Sequence, residues 1–322
     1  MPGSTAAGAD GWALGIDLGG TKTEAVVLDP QGAEVWRRRI ATPSAQGYDA
    51  MLVALAALVD EARAAMAGAG AAALTIGLGG PGSLTADGVL KNANTQCLNG
   101  RPLAADLSSR LGRPVRVAND ANCLALSEAS DGAGAGAAVV FAVILGTGCG
   151  GGIAVHGRVL TGPNGLAGEW GHNPMPWAFE ADPDEPRLAC YCGQAGCIET
   201  LLSGPGLAAD HQRHHGGSLS AAQIAEAAAA GDAACADTLA RWHQRLARAL
   251  ASVINLLDPD VIVLGGGLSR IESTYRVVPA LWGRWVFSGG VREPVRTRLE
   301  PARHGDASGV RGAAWLGRDA PP

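Results

Sequence analysis

Apolar residues fall along this chain in two patterns, short continuous runs and helical faces, and the two divide it into elements. Leu14–Asp17 is a short apolar run stopping at Gly19-Gly20, and Thr23–Leu28 is a second; both read as buried strands bounded by turn residues. After a turn at Asp29-Pro30-Gln31-Gly32, Glu34–Ile40 alternates in part and predicts a third strand. Leu52, Leu55, Leu58 and Val59 share one side of a helix over Met51–Ala67. Leu74–Leu78 predicts a short strand ending at Gly79-Gly80-Pro81-Gly82. Pro102–Leu111 then predicts a helix, Val115–Ala118 a strand running into Asn119-Asp120, and Ala121–Ala129 a helix.

The opening then repeats in outline. Val139–Leu145 is an apolar strand that enters GTGCGGG and is followed by Ile153–Val155, another strand. GIDLGGTKTEAVVL and VILGTGCGGGIAV are each strand, Gly/Thr-rich turn, strand, which predicts two related α/β halves. Downstream, Leu239, Trp242, Leu246, Leu250 and Val253 mark a long helix over Asp237–Leu257 that ends at Asp258-Pro259. Val261–Leu264 is a strand entering Gly265-Gly266-Gly267, and a last helix covers Ser308–Leu316. No low-complexity linker separates the halves, so their join reads as a cleft or hinge.

Composition narrows the class. An apolar fraction of 47% in 322 residues allows a substantial core, and a net charge of −5 argues against a broad nucleic-acid-binding surface. No run of strongly apolar residues is long enough for a membrane span; the uncharged Ala64–Gly80 comes nearest but is Ala/Gly-rich and holds turn signals. MPGSTAAGADG lacks the basic start and apolar segment of a signal peptide, so the expected location is the cytosol. Lasting disulfides are rare there, and seven cysteines is an odd number for a disulfide framework.

Metal is therefore the leading account of one cluster. Cys190, Cys192 and Cys197 offer three thiolates within a short segment where Gly193 and Gly196 permit tight folding, and His172 can supply a fourth ligand for tetrahedral zinc. The loop between them, with prolines 174, 176, 183 and 186, is too irregular to hold itself together. Zinc binding contributes on the order of 10 kcal/mol in small zinc modules, ample to fix it. The alternative is three reduced cysteines packed near a turn. Cysteines 97, 123, 149 and 235 are scattered and read as small apolar residues.

Other residues carry chemistry of a different kind. Two Gly/Thr turns at strand ends expose backbone N–H groups that can cradle anionic oxygens, although glycine is common in ordinary hairpins too. Together with the Gly265–Gly267 triplet they point to a nucleotide polyphosphate, without a Walker motif or a convincing Rossmann setting. Lys22 and Lys91 are the two lysines; Lys22 sits inside the first turn, where its ammonium could reach phosphate oxygens or simply be solvated. Asp120 can cap the following helix or accept a proton during phosphoryl transfer. Asn92, Asn94, Asn119, Glu169 and Glu199 are amides and carboxylates suited to a polyhydroxylated ligand.

At this point the chain resembles the ROK (repressor, open reading frame, kinase) sugar kinases, from about Leu14 to Leu316. GIDLGGTKTE resembles the family's first phosphate motif, ILGTGCGGG its second, VIVLGGG its adenosine-side motif, and GEWGHNP…CYCGQAGCIE its zinc signature. The resemblance implies an α/β, actin-like (ribonuclease H-like) ATPase fold with the active site in the interdomain cleft and a structural zinc loop. It implies an N-terminal domain over 12–121 plus 304–318 and a C-terminal domain over 122–303 bearing that loop. Asp120 matches the catalytic base, acting on the sugar's 6-hydroxyl, and Asp17 a residue that orients Mg²⁺. Gly19, Gly20, Thr21, Lys22, Thr147 and Gly148 would contact the phosphates of ATP, with Gly265, Gly266 and Gly267 near its nucleoside. Asn94, Asn119, Glu169, His172 and Glu199 would bind hydroxyls. Zn²⁺ would be held by His172, Cys190, Cys192 and Cys197, with His172 touching metal and sugar through one ring nitrogen each.

Within the family, VLKNANTQCLNGRPL, NDANCLALSEA, EWGHNPMPW, LDPDVIVLGGGLS and HGDASGVRGAAWL look most like bacterial fructokinases of the manno(fructo)kinase type. The expected acceptor is D-fructose, with mannose beside it; N-acetylglucosamine kinase or glucokinase is the alternative. Family repressors carry an N-terminal DNA-reading module, for which a first motif beginning by Gly15 leaves no room. A non-catalytic sugar sensor is the alternative of another class, against which the complete phosphate turns and Asp120 speak. Family habit implies a homodimer.

Overall fold

The computed structural model describes residues 11–66, 73–288 and 293–318. Along them run β1 (Ala13–Leu18), β2 (Lys22–Leu28), β3 (Glu34–Ala41), α1 (Tyr48–Ala65), β4 (Thr75–Gly80), β5 (Ser83–Leu84), β6 (Leu90–Lys91), α2 (Leu103–Leu111), β7 (Val115–Asn119) and α3 (Asp120–Ser130). They continue with β8 (Val139–Leu145), β9 (Cys149–Val155), β10 (Arg158–Val159), α4 (Ala178–Ala181), α5 (Glu199–Leu202), α6 (Gly204–His215), α7 (Ala221–Ala229) and α8 (Ala233–Leu257). β11 (Val261–Gly265), α9 (Thr274–Trp282), β12 (Arg298–Pro301) and α10 (Ser308–Arg318) complete the set. Ala67, the expected end of the first helix, lies outside the described residues.

The repeat seen in the sequence is a repeat of topology. One sheet has the order β3-β2-β1-β4-β7 and the other β10-β9-β8-β11-β12. In each, the opening hairpin is antiparallel and the two strands added on its far side are parallel. Residues up to Gly132, with Gly157–Ala167 and the segment from Ala307, form one compact unit; Ala133–His156 and Gly168–Asp306 form the other.

In the first unit Leu14, Ile16, Ile76 and Leu78 pack against Met51, Leu55, Leu58 and Val59 of α1, all buried. The last helix, α10, lies on the other side of this sheet. A Cβ at Gly77 would stand 1.9 Å from Ala313 O, so α10 reaches β4 only because that strand carries glycine there. In the second unit Phe141, Val143, Ile262 and Leu264 meet Trp242, Leu246 and Leu250 of α8. That helix begins four residues before the expected Asp237, because the Asp232 carboxylate accepts from Cys235 N at 2.8 Å and caps it.

The expected turn GTGCGGG is shorter than its glycines imply. Cys149 to Gly152 are already strand, with Gly150 opposite Ile144 and Gly151 opposite Val143. A side chain at Gly151 would meet Trp170 Cδ1 and Gly168 O, both at 2.7 Å. The glycine run therefore makes room for the segment that carries Glu169 and His172, and only Gly146–Gly148 turns the chain.

The proline-rich loop has an anchor that needs no metal. Glu185, 6% exposed, accepts from Arg245 and Arg248 of α8; Arg245 also donates to Asp210 of α6 at 2.7 Å, and Arg248 to the Trp177 carbonyl at 3.1 Å. Breaking one partner of such a buried network leaves uncompensated charge and costs about 3–5 kcal/mol. Glu185→Gln should accordingly lower the melting temperature while zinc content, read by elemental analysis, is retained. An unchanged melting temperature would refute the anchoring role.

Candidate active site

The first unit contributes a hairpin turn and two carboxylates. Gly19 N donates to Lys22 O at 3.1 Å, closing the β1–β2 turn and leaving Gly20, Thr21 and Lys22 exposed. The turn is braced from behind: Thr42 Oγ1 donates to Gly19 O at 2.8 Å, Ser44 Oγ to Gly20 O at 3.2 Å, and Thr42 N to Thr21 O at 3.0 Å. Thr42 and Ser44 carry no phosphate-binding signal in the sequence; their role follows from the return of β3 beside the turn.

Asp17 is the penultimate residue of β1 and pairs with Glu24. Desolvation pushes its carboxyl up to about 6, with the charges of Asp120 and Glu24 adding and that of Lys22 opposing. Asp120 is the first residue of α3, and desolvation raises its carboxyl above the usual aspartate range against the pull of backbone N–H donors. The cap of α3 is Asn119, whose Oδ1 accepts from Asn122 N at 2.7 Å. The side chain of Asp120 accepts from the adjacent Ala121 N at 2.8 Å. Capping thus commits the Asn119 amide oxygen and leaves its NH₂ as the group with donors to offer. Asn94 is exposed, and the neighbouring Thr95 hydroxyl lies beside Gly20.

The second unit holds the other half of the candidate residues. Gly146 N donates to Gly148 O at 3.0 Å across the β8–β9 turn, with Thr147 exposed at its tip. The Glu199 carboxylate accepts from Cys149 N at 2.9 Å, so this residue, expected on hydroxyls, also fixes the base of the turn with one oxygen. Trp170 is buried, donates from Nε1 to Gly150 O at 3.1 Å and meets Phe141 edge-on with centroids 5.6 Å apart. It anchors the short segment that carries Glu169 and His172, and nothing in the sequence marks it as such.

His172, Cys190, Cys192 and Cys197 bring their ligand atoms within 4.8 Å of one another. Cys190 Sγ lies 3.6 Å from His172 Nδ1, and Cys192 Sγ 3.6 Å from Cys197 Sγ. Tetrahedral zinc, with Zn–S of about 2.3 Å and Zn–N of about 2.0–2.1 Å, places its ligands at such separations, so the donor set fits the metal. Backbone bonds hold the two ends of the loop together: Met175 N donates to Gly196 O and Ile198 N to Asn173 O, both at 2.9 Å.

Gly265 and Gly266 open onto a cavity of about 440 Å³ lined also by Ser269, Arg270, Glu272, Tyr275, Ala302 and Asp306. Tyr275 donates to Ser269 O at 2.6 Å, which turns its ring into the wall. The sequence singled out none of these side chains; the segments after β11 and β12 and the start of α9 bring them beside the glycines only in the fold.

Among the described residues no helix is long and apolar enough to cross a membrane. The sequence matches the ROK family over residues 13–320. It is 42% identical over 312 residues, 94% of this chain and 97% of the relative, to an N-acetyl-D-glucosamine kinase of Pectobacterium atrosepticum. Its structure is similar to that of a ROK hexokinase from Thermus thermophilus, with a TM-score of 0.80 and 31% identity over 95% of this chain and 97% of the other. It is also similar to a ROK family glucokinase from Streptomyces griseus solved with glucose and AMPPNP, with a TM-score of 0.73 and 30% identity over 95% and 99%. With the repeated sheets, the braced turns and these relatives together, the chain belongs to the ROK family and is an ATP-dependent sugar kinase of the actin-like fold.

Proposed function

We propose that the chain transfers the γ-phosphoryl group of ATP to the 6-hydroxyl of N-acetyl-D-glucosamine. The observation that carries the choice of sugar is the 42% identity, over nearly the whole chain, to a kinase named for it. This reading displaces D-fructose and mannose, which the motif strings favoured. Those strings build turns, the zinc loop and helix starts, whereas hexoses differ by one or two polar groups that a few loop positions discriminate.

In this reading Asp120 takes the proton of the attacking hydroxyl, and its raised proton affinity suits a base better than an ordinary aspartate would. Phosphoryl transfer asks the protein chiefly for positioning and charge stabilisation. The N–H groups around Gly19, Gly20, Thr21, Thr147 and Gly148 and the Lys22 ammonium hold phosphate oxygens. Gly265, Gly266 and Gly267 and the cavity beside them hold the nucleoside. Asp17 would orient magnesium, which supplies neutralisation of phosphate charge. Asn94, Asn119, Glu169, His172 and Glu199 hold hydroxyls, Asn119 through its NH₂ and Glu199 through the oxygen not given to Cys149. His172, Cys190, Cys192 and Cys197 would hold zinc, which supplies rigidity to this loop.

A panel of N-acetylglucosamine, glucose, mannose and fructose with ATP, read as kcat/KM, tests the choice. N-acetylglucosamine should lead by at least tenfold, the order of discrimination that one extra contacted group provides. A lead by fructose would return the assignment to the fructokinase type.

A further inference from the structure

The β1–β2 turn is gripped by its carbonyls. Gly19 O accepts from Thr42 Oγ1 at 2.8 Å, Gly20 O from Ser44 Oγ at 3.2 Å and Thr21 O from Thr42 N at 3.0 Å. The peptides of this turn are trans, and in a trans peptide the C=O and the following N–H point opposite ways. Drawing the carbonyls of Gly19 and Gly20 back toward residues 42–44 therefore turns the N–H groups of Gly20 and Thr21 outward, on exposed residues. Among the described residues nothing accepts from those two N–H groups.

Glycine leaves this orientation open to reversal. A Cβ at Gly20 would meet nothing nearer than Thr95 Oγ1, at 3.7 Å, so packing does not demand glycine there. Two successive glycines let the peptide between them rotate, which would present a carbonyl on the outer face in place of a donor. A carbonyl dipole set there would repel phosphate oxygens.

A pair of hydroxyls opposes that rotation. A carbonyl can only accept, so the single proton of Thr42 Oγ1 is committed to Gly19 O. Thr23 Oγ1, 2.8 Å from Thr42 Oγ1, is then the donor between the two hydroxyls. Thr23 is 1% exposed and belongs to β2, so the pair is rooted in the sheet. The β8–β9 turn is held by main chain instead, with Gly146 O accepting from Gly204 N at 2.8 Å.

We propose that Thr42 is a positioning residue for ATP: its hydroxyl, backed by Thr23, locks the Gly19–Gly20 peptide with the N–H facing the phosphates. This rests on the reading of the turn as a phosphate grip but not on which hexose is preferred.

The test compares Thr42→Val, which keeps the shape and removes the donor, with Thr42→Ser, which keeps the donor. For each, kcat/KM for ATP is read beside the inhibition constant of adenosine, KM for the hexose that wild type uses best, and the melting temperature. In the Val variant kcat/KM for ATP should fall about 3- to 10-fold, the worth of one net hydrogen bond. Adenosine, which has no phosphate, and the hexose should bind as they do to wild type, and the Ser variant should restore the wild-type value for ATP. An unchanged kcat/KM for ATP in the Val variant would overturn the proposal. Equal weakening of adenosine and ATP would also overturn it, because a loosened structure and not the phosphate grip would then explain the loss. So would a Ser variant no better than Val. Should fructose lead among the hexoses, the substrate assignment fails while the Thr42 comparison is decided on fructose in the same way.

Discussion

Asp120→Asn lowers kcat by about 10²- to 10⁴-fold, the range that a positioned general base contributes, and leaves the fold and sugar affinity in place. The fold survives because Asn119, and not Asp120, caps α3, and because an amide oxygen can still accept from Ala121 N. Stability should not fall: the substitution removes a carboxylate whose ionised form is disfavoured by desolvation and by its neighbour Asp17. The measurement is kcat at saturating ATP and sugar, with the sugar dissociation constant and melting temperature beside it. Activity above a tenth of wild type would remove Asp120 from the role of base. The wild-type pH profile carries a matching sign. A base must be unprotonated to act, and a raised carboxyl proton affinity in the free protein moves the acid limb of kcat/KM to higher pH than an ordinary aspartate would give.

The second large effect is loss of metal. Cys192 is exposed and Cys197 is almost wholly buried. Cys192→Ser therefore removes one ligand with little disturbance of packing, and its consequences report on the metal itself. Zinc content should fall from one per chain toward none, and sugar affinity should drop by more than about tenfold, the lower range for disturbed metal sites. The melting temperature should fall less than the binding energy of a zinc finger implies, because Glu185 with Arg245 and Arg248 still seats the loop on α8. Unchanged zinc by elemental analysis would refute the ligand set. Unchanged sugar affinity in a zinc-free variant would separate the metal loop from the sugar site.

The two variants divide the candidate residues by unit. Asp120 acts with Asp17 and the first turn, so its loss should appear in turnover. The thiols share a unit with Glu169, His172 and Glu199, so their loss should appear in binding. A protein in which both substitutions affected only stability would retain the fold of a sugar kinase without its chemistry.

By itself the sequence determined what depends on near neighbours along the chain. Short apolar runs marked β1 and β2, partial alternation β3, and helical spacing α1 and α8, because burial of a face repeats every two residues in a strand and every three to four in a helix. The doubled Gly/Thr hairpin announced two sheets of one design, and the spacing of Cys190, Cys192 and Cys197 announced a ligand cluster, since tight local turns need glycine wherever the fold sends them. Tertiary structure alone decided the rest. It made Gly150–Gly152 a strand under Trp170 instead of a turn, gave the α3 cap to Asn119, and set one oxygen of Glu199 on the β8–β9 turn. It joined Glu185 to Arg245 and Arg248 some 60 residues away, and it chose which nitrogen of His172 meets the thiols and which meets Tyr191. Pairings across such distances leave no periodic trace, because they are selected by the packing of whole elements and not by the propensities of the residues that make them.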